Sequence, residues 1–116
     1  MADTYDLTIK RGNNIPIAWR GRDANGDLVP LAGSRFILTI ACGGSTPSTI
    51  RKDSQTDAGL VVDLTANTVT WTPTLPESRD IPLGKVSSYE LERRIAGDQR
   101  TWAEGRITGV GGLGDD

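Results

Sequence analysis

Three glutamates, Glu90, Glu92 and Glu104, are the residues of this chain best suited to acid–base chemistry. Glu90 and Glu92 share one face of a strand-like run and Glu104 lies on the next run, which puts all three on adjacent strands. Paired carboxylates are what glycoside cleavage uses, one as acid and one as base or nucleophile. Arg93, Arg94, Arg100 and Arg106 surround them, and cross-strand ion pairs on a solvated face account for the same residues without catalysis. The chain contains no histidine. That removes Ser-His-Asp and Cys-His mechanisms and every histidine-ligated zinc site. Asp23, Asn25 and Asp27 offer oxygen ligands of the kind calcium takes, but Gly26 comes too early for an EF-hand loop and the closing glutamate is missing. A hairpin turn explains that run better. Cys42, beside Gly43 and Gly44, adjoins no histidine and no cationic cluster, the setting of an inert thiol. Trp19, Trp71 and Trp102 could stack on sugar rings, yet each lies on the apolar side of its run, where core tryptophans lie. The sequence predicts no catalytic centre, no cofactor and no metal.

Composition narrows the remaining classes. At 116 residues the length suits one domain. Hydrophobic residues make up 36%, and 14 glycines bring the apolar share to that of an ordinary globular chain. No run approaches the roughly 20 apolar residues of a membrane helix, and the polar, acidic start Met1-Ala2-Asp3-Thr4 is no signal peptide. A formal charge of −2 and a pI near 5.1 argue against nucleic acid as a partner. A single cysteine cannot form an internal disulfide, so nothing implies an oxidising compartment.

The elements that would position these residues are strands. The run from Tyr89 to Val110 organises the rest: two strand-like segments flank a turn at Ala96-Gly97-Asp98. Tyr89 and Leu91 fall on one face, and Ser88, Glu90 and Glu92 on the other. Trp102 and Ile107 have opposite parity, so a bulge must reset the phase, and Gly105 between them is the expected place. Ser87 to Glu90 also fits a helical capping box, but a helix ending at Gly97 would be short and would lack a continuous apolar face. Upstream, Tyr5, Leu7 and Ile9 alternate with polar residues. Ile15, Ile17 and Trp19 do the same, with Pro16 marking a strand start or an edge. Asn25-Gly26 signals a hairpin. Phe36, Leu38 and Ile40 on one side and Ile37 on the other describe a central strand. Residues 42–48 are loop, 49–52 a short strand, and 60–64 and 68–72 better ones, with Val69 and Trp71 inward. Between residues 73 and 82, three prolines limit any helix to one turn, with Thr74 as cap and Pro76 in the first turn. Residues 111–116, four being glycine or leucine and two aspartate, cannot pack a core. The fold class expected is all-β: an antiparallel sandwich of about seven or eight short strands spanning residues 1–110, with a flexible tail at 111–116.

An opening Asp6-Leu7-Thr8-Ile9-Lys10-Arg11-Gly12-Asn13, the run from Asn25 to Phe36, Tyr89-Glu90-Leu91-Glu92 and a closing Gly105-Arg106-Ile107-Thr108-Gly109-Val110 together resemble the small immunoglobulin-like β-sandwich proteins of tailed bacteriophages and prophages. The N-terminal domain of baseplate upper proteins is the nearest named relative, and the likeness covers nearly the whole chain. Those proteins continue into a fibre-like region whereas this sequence stops at Asp116. The resemblance therefore implies a capsid decoration, head–tail or tail accessory protein as readily as a baseplate one. It implies a non-enzymatic virion protein, made in the bacterial cytoplasm, whose partners are other capsid, portal or tail subunits. A carbohydrate- or receptor-binding module of a phage tail is the alternative. Docking is expected through four segments: an N-terminal arm (Ala2, Asp3, Thr4, Tyr5), a glycine-rich loop (Gly43, Gly44, Ser45, Thr46), the proline segment (Pro76, Glu77, Arg79) and the tail (Gly112, Leu113, Asp115, Asp116). Such ends order only when many weak contacts act together in an assembly.

Overall fold

In the computed structural model, residues 3–20, 30–44 and 47–111 are described, Asp3 by its main chain alone. The Asp23–Asp27 turn and its neighbours, together with Ala2, Ser45, Thr46, Gly112, Leu113, Asp115 and Asp116, lie outside the described residues. In chain order the strands are β1 (Asp3–Thr4), β2 (Leu7–Lys10), β3 (Ile17–Arg20), β4 (Arg35–Cys42), β5 (Ser48–Asp53), β6 (Leu60–Asp63) and β7 (Thr68–Trp71). A short helix α1 (Leu75–Asp80) follows, then β8 (Gly84–Ile95) and β9 (Asp98–Val110).

Two sheets form. The larger has the order β1-β9-β8-β4-β5, with β2 following β1 along the same edge of β9, and the smaller is β3-β7-β6. Pairing is antiparallel except where β1 and β2 run parallel to β9. The first strands thus lie beside the last one and cover an edge that would otherwise be open. One cluster of buried side chains joins the sheets: Phe36, Leu38 and Ile40 from β4, Leu91 from β8 and Ile107 from β9 meet Trp19, Leu60, Val69 and Trp71 from the smaller sheet. This is an all-β immunoglobulin-like sandwich, the first, last and central strands in one sheet and three in the other.

The β8–β9 hairpin is the longest pairing. Ile95 faces Asp98 across a two-residue turn, and both Ala96 and Gly97 have positive φ, 45° and 83°, the mirror-image turn that matches strand twist. The phase reset falls at a different residue from the one the sequence suggests. Leu91 faces Ala103 and Glu92 faces Thr101, so the extra residue is Trp102, not Gly105. Trp102, half-buried, packs on Phe36 with ring centroids 5.0 Å apart. Bulging there lets a bulky ring cap the core while Ala103 and Ile107 return to the inner face. Gly105 has another role: a Cβ at this position would lie 2.1 Å from the Tyr5 carbonyl oxygen. Only glycine lets the first strand come this close.

The opening strand also differs from simple alternation. It breaks at Tyr5 and Asp6, leaving Tyr5 53% exposed while Ile9 is buried. At the break, Asp6 accepts a hydrogen bond from the Arg106 amide at 3.0 Å. That hydrogen bond holds the Asp6 carboxyl below its usual range. Tyr5 itself is tied down twice, its amide donating to Glu104 (2.9 Å) and its carbonyl accepting from the Tyr89 hydroxyl (2.6 Å). Residues 3–5 are thus a paired edge strand rather than a free arm. Tyr89 also accepts from Trp19 Nε1 at 3.3 Å, so a single hydroxyl links β3, β8 and the first strand inside the core.

A second polar knot closes the β4–β5 pair. The Arg35 guanidinium forks onto the Asp53 carboxylate, which also accepts from the Gln55 amide at 3.0 Å. The Asp53 amide donates to Asp57 at 2.7 Å. Arg35 beside it holds the Asp53 carboxyl at about 2. Because the folded value lies below the unfolded one, this stabilisation is complete above about pH 4 and is lost as pH falls toward 2. An acid titration followed by circular dichroism should show this loss, worth about 1 kcal/mol after allowing for solvent around Arg35. In Arg35→Gln the stability difference between pH 5 and pH 2.5 should shrink.

Candidate functional site

Two of the segments singled out in the sequence, the glycine-rich loop and the proline segment, meet at one end of the sandwich. The β4–β5 loop, the segment carrying α1 and the C-terminal end of β9 lie together there, with the β2–β3 turn beside them. The reason is close backbone packing. A Cβ on Gly43 would sit 2.0 Å from the Val86 carbonyl oxygen, and one on Gly109 2.1 Å from that of Pro82, while Gly44 faces the Pro82 ring. The Gly43 amide donates to Ser87 Oγ at 3.2 Å. From the other side, Gly12 donates to Ser78 Oγ (3.1 Å), the Arg11 guanidinium to the Arg79 carbonyl (2.8 Å) and the Arg11 amide to the Val110 carbonyl (2.9 Å).

Helix α1 is short but well defined. Thr74 caps it as the sequence indicates: Thr74 Oγ1 accepts from the Glu77 amide and Glu77 Oε1 from the Thr74 amide, at 3.2 and 2.9 Å, a capping box with proline in the first turn. Glu77 also pairs with Lys52 on β5 at 2.5 Å, so the helix is anchored to the larger sheet. Pro76 and Arg79 stay exposed. Around this anchored frame stand apolar side chains with no cover: Ile15 is 63% exposed, Leu83 57%, Val86 48% and Leu75 42%. Alternation alone predicts Ile15 inward, but it precedes Pro16 and lies outside β3, whose ladder with β7 begins only at Ile17. A small cavity of about 130 Å³ opens beside it, where β2 and β3 part, lined by Ile9, Ile15, Ile17, Pro73, Val110 and Lys10 among others. Glycine-rich and proline-rich stretches gave away the loops, but the apolar rim became visible only once topology joined them.

The remaining predicted residues lie elsewhere. Asp3, Thr4 and Tyr5 run along β9 beside Ala103 and Glu104, away from this end. Glu90 and Glu104 face each other directly across β8 and β9 and, with Glu92, line an open concavity on the outer face of the larger sheet. Glu90 accepts from Thr101 Oγ1 at 2.6 Å, and Glu92 pairs with Arg94 at 2.6 Å. Cys42 is buried, and burial pushes its thiol above the usual value, as for an unreactive core thiol. Trp19 and Trp71 are 5% and 0% exposed and Trp102 covers Phe36, so stacking on a sugar would compete with the core for these rings. Scans against protein-family models and against curated proteins give no match to this chain.

Proposed function

We propose that this chain is a non-enzymatic structural protein of a tailed-phage particle, docking on neighbouring subunits as a capsid decoration, head–tail or tail accessory protein. The observation that carries the reading is the end just described, where exposed Ile15, Leu75, Leu83 and Val86 ring a rigid frame and β9 delivers residue 111. Apolar side chains gathered on a pinned backbone lose little entropy on binding and gain from being covered. The resemblance in sequence to phage immunoglobulin-like proteins supplies the kind of assembly. Repetition in a symmetric particle would make such modest contacts sufficient.

Deleting residues 111–116 tests the role of the tail. Stability of the isolated protein should change by less than about 0.5 kcal/mol, as expected for a stretch whose glycines and aspartates supply little to a core. Incorporation into particles, measured by complementation and quantitative immunoblot, should fall. If the deletion unfolds the protein, the tail belongs to the core and this role for it is wrong.

A further inference from the structure

We propose that residues 3–5 form a detachable strap on β9, and that the Asp6 side chain is the charged pin that holds it there. β1 has only two residues, and Thr4, Tyr5 and Asp6 are all exposed, whereas Leu7 and Ile9 on β2 pack against the buried cluster. Both strands run along one edge of β9, Asp3 and Thr4 beside Ala103 and Glu104, Leu7 to Lys10 beside Ile107 to Val110. Between them the ladder is interrupted opposite Gly105 and Arg106. There a side chain does what a backbone carbonyl does elsewhere along the edge. The Arg106 amide donates to Asp6 Oδ1 at 3.0 Å, and Lys85 Nζ stands 3.6 Å from Asp6 Oδ2.

The other ties on the strap are the Tyr5 amide to the Glu104 carbonyl and the Tyr89 hydroxyl to the Tyr5 carbonyl. A segment held by a few polar links opens locally at far lower cost than the whole fold. Beyond the pin, β2 keeps its apolar anchors and the Arg11 amide its bond to the Val110 carbonyl, so opening stops at Asp6. It turns the Ala103–Gly105 stretch of β9 into an open edge. The pin works through its charge, because a carboxylate accepts from an amide more strongly than a neutral carboxyl does. The hydrogen bond from Arg106, with Lys85 and the Arg106 guanidinium nearby, holds the Asp6 carboxyl below its usual range. Tyr89 on β8 and Glu104 on β9 are the other titratable groups at this corner, and Glu104 meets the strap through its carbonyl rather than its carboxylate. Since the folded value of Asp6 lies below the unfolded one, the pin is fully set above about pH 4. It is released as pH falls through the folded value.

Amide hydrogen exchange of the full chain, read by NMR and corrected for intrinsic rates, tests this. Asp6→Asn keeps the side-chain oxygen and removes the charge, and Asp6→Ala removes both. At about pH 6, exchange at Arg106 and Tyr5 should accelerate together, roughly 3-fold or more in Asp6→Asn and roughly 10-fold or more in Asp6→Ala. The Arg11 amide should hold in both. Between about pH 6 and pH 3 the unsubstituted chain should approach the Asp6→Asn rates, while that variant stays level. Over this range the Asp53 carboxyl, at about 2, stays ionised beside Arg35, so that pair does not drive the change. Acceleration at Arg106 with Tyr5 unchanged would overturn the strap, as would no acceleration at either amide. Equal acceleration at Arg11 would overturn it too, because residues 3–10 would then open as one unit. A pH response in Asp6→Asn as large as in the unsubstituted chain would remove Asp6 as the charged pin.

Discussion

Gly105→Ala is expected to lower stability by about 2–3 kcal/mol, the upper range for forcing one extra carbon into a packed site, and to release residues 3–5 from β9. The new Cβ would meet the Tyr5 carbonyl oxygen at 2.1 Å and its carbon at 2.7 Å. Both atoms are backbone, so no side chain can swing aside and the whole edge strand must retreat. Retreat would break the Tyr5–Glu104 hydrogen bond and remove the acceptor of the Tyr89 hydroxyl. Gly97→Ala is the matched control. Gly97 has a φ of 83°, and a methyl group added there would meet nothing within 4 Å, so its cost of about 1 kcal/mol is turn strain alone. Urea denaturation gives the two stabilities, and hydrogen exchange at the Tyr5 amide separates them: exchange should accelerate in Gly105→Ala and hold in Gly97→Ala. Equal exchange in both would contradict the account of the first strand.

Tyr89→Phe is expected to cost about 1–3 kcal/mol although it removes only an oxygen. The hydroxyl donates to Tyr5 and accepts from Trp19. Its loss leaves the Trp19 N–H, in a ring 5% exposed, with no acceptor, along with a carbonyl at the edge of the core. The ring contact, 5.7 Å between the centroids of Trp19 and Tyr89, survives in phenylalanine, so the loss reports the polar links rather than packing. Trp19→Phe removes the orphaned donor. In the double variant the cost should therefore fall short of the sum of the single ones, a coupling that a double-mutant cycle measures directly. Strict additivity would mean the two groups are independently hydrated and the network has no energetic meaning.

Much of this fold was legible in the sequence because period-two alternation, turn chemistry and capping residues are local signals. The hairpin around Ala96-Gly97, the inward set of Tyr89 and Leu91, the central β4 and the Thr74-capped turn each follow from a few adjacent residues. What local signals could not give is what distant parts do to one another. The bulge sits at Trp102 because Phe36, on another strand, offers that ring a place to pack. Gly105 looks like a bulge glycine until Tyr5, 100 residues away, is brought against it. Tyr5 itself leaves the apolar face because Asp6 turns to bind the Arg106 amide. The candidate site was legible only in pieces. Glycines and prolines marked its loops, and Ile15 read as part of an alternating strand, but only the topology gathers it with exposed Leu83 and Val86 at one end.

The measurement that bears most directly on the central claim is quantitative mass spectrometry of phage particles purified from the source culture. The copy number of this chain is read against that of the major capsid protein. The account predicts that the chain is present at a fixed stoichiometry, on the capsid scale for a decoration protein or in a small symmetric number for a head–tail or tail position. Complete absence from intact particles would contradict it.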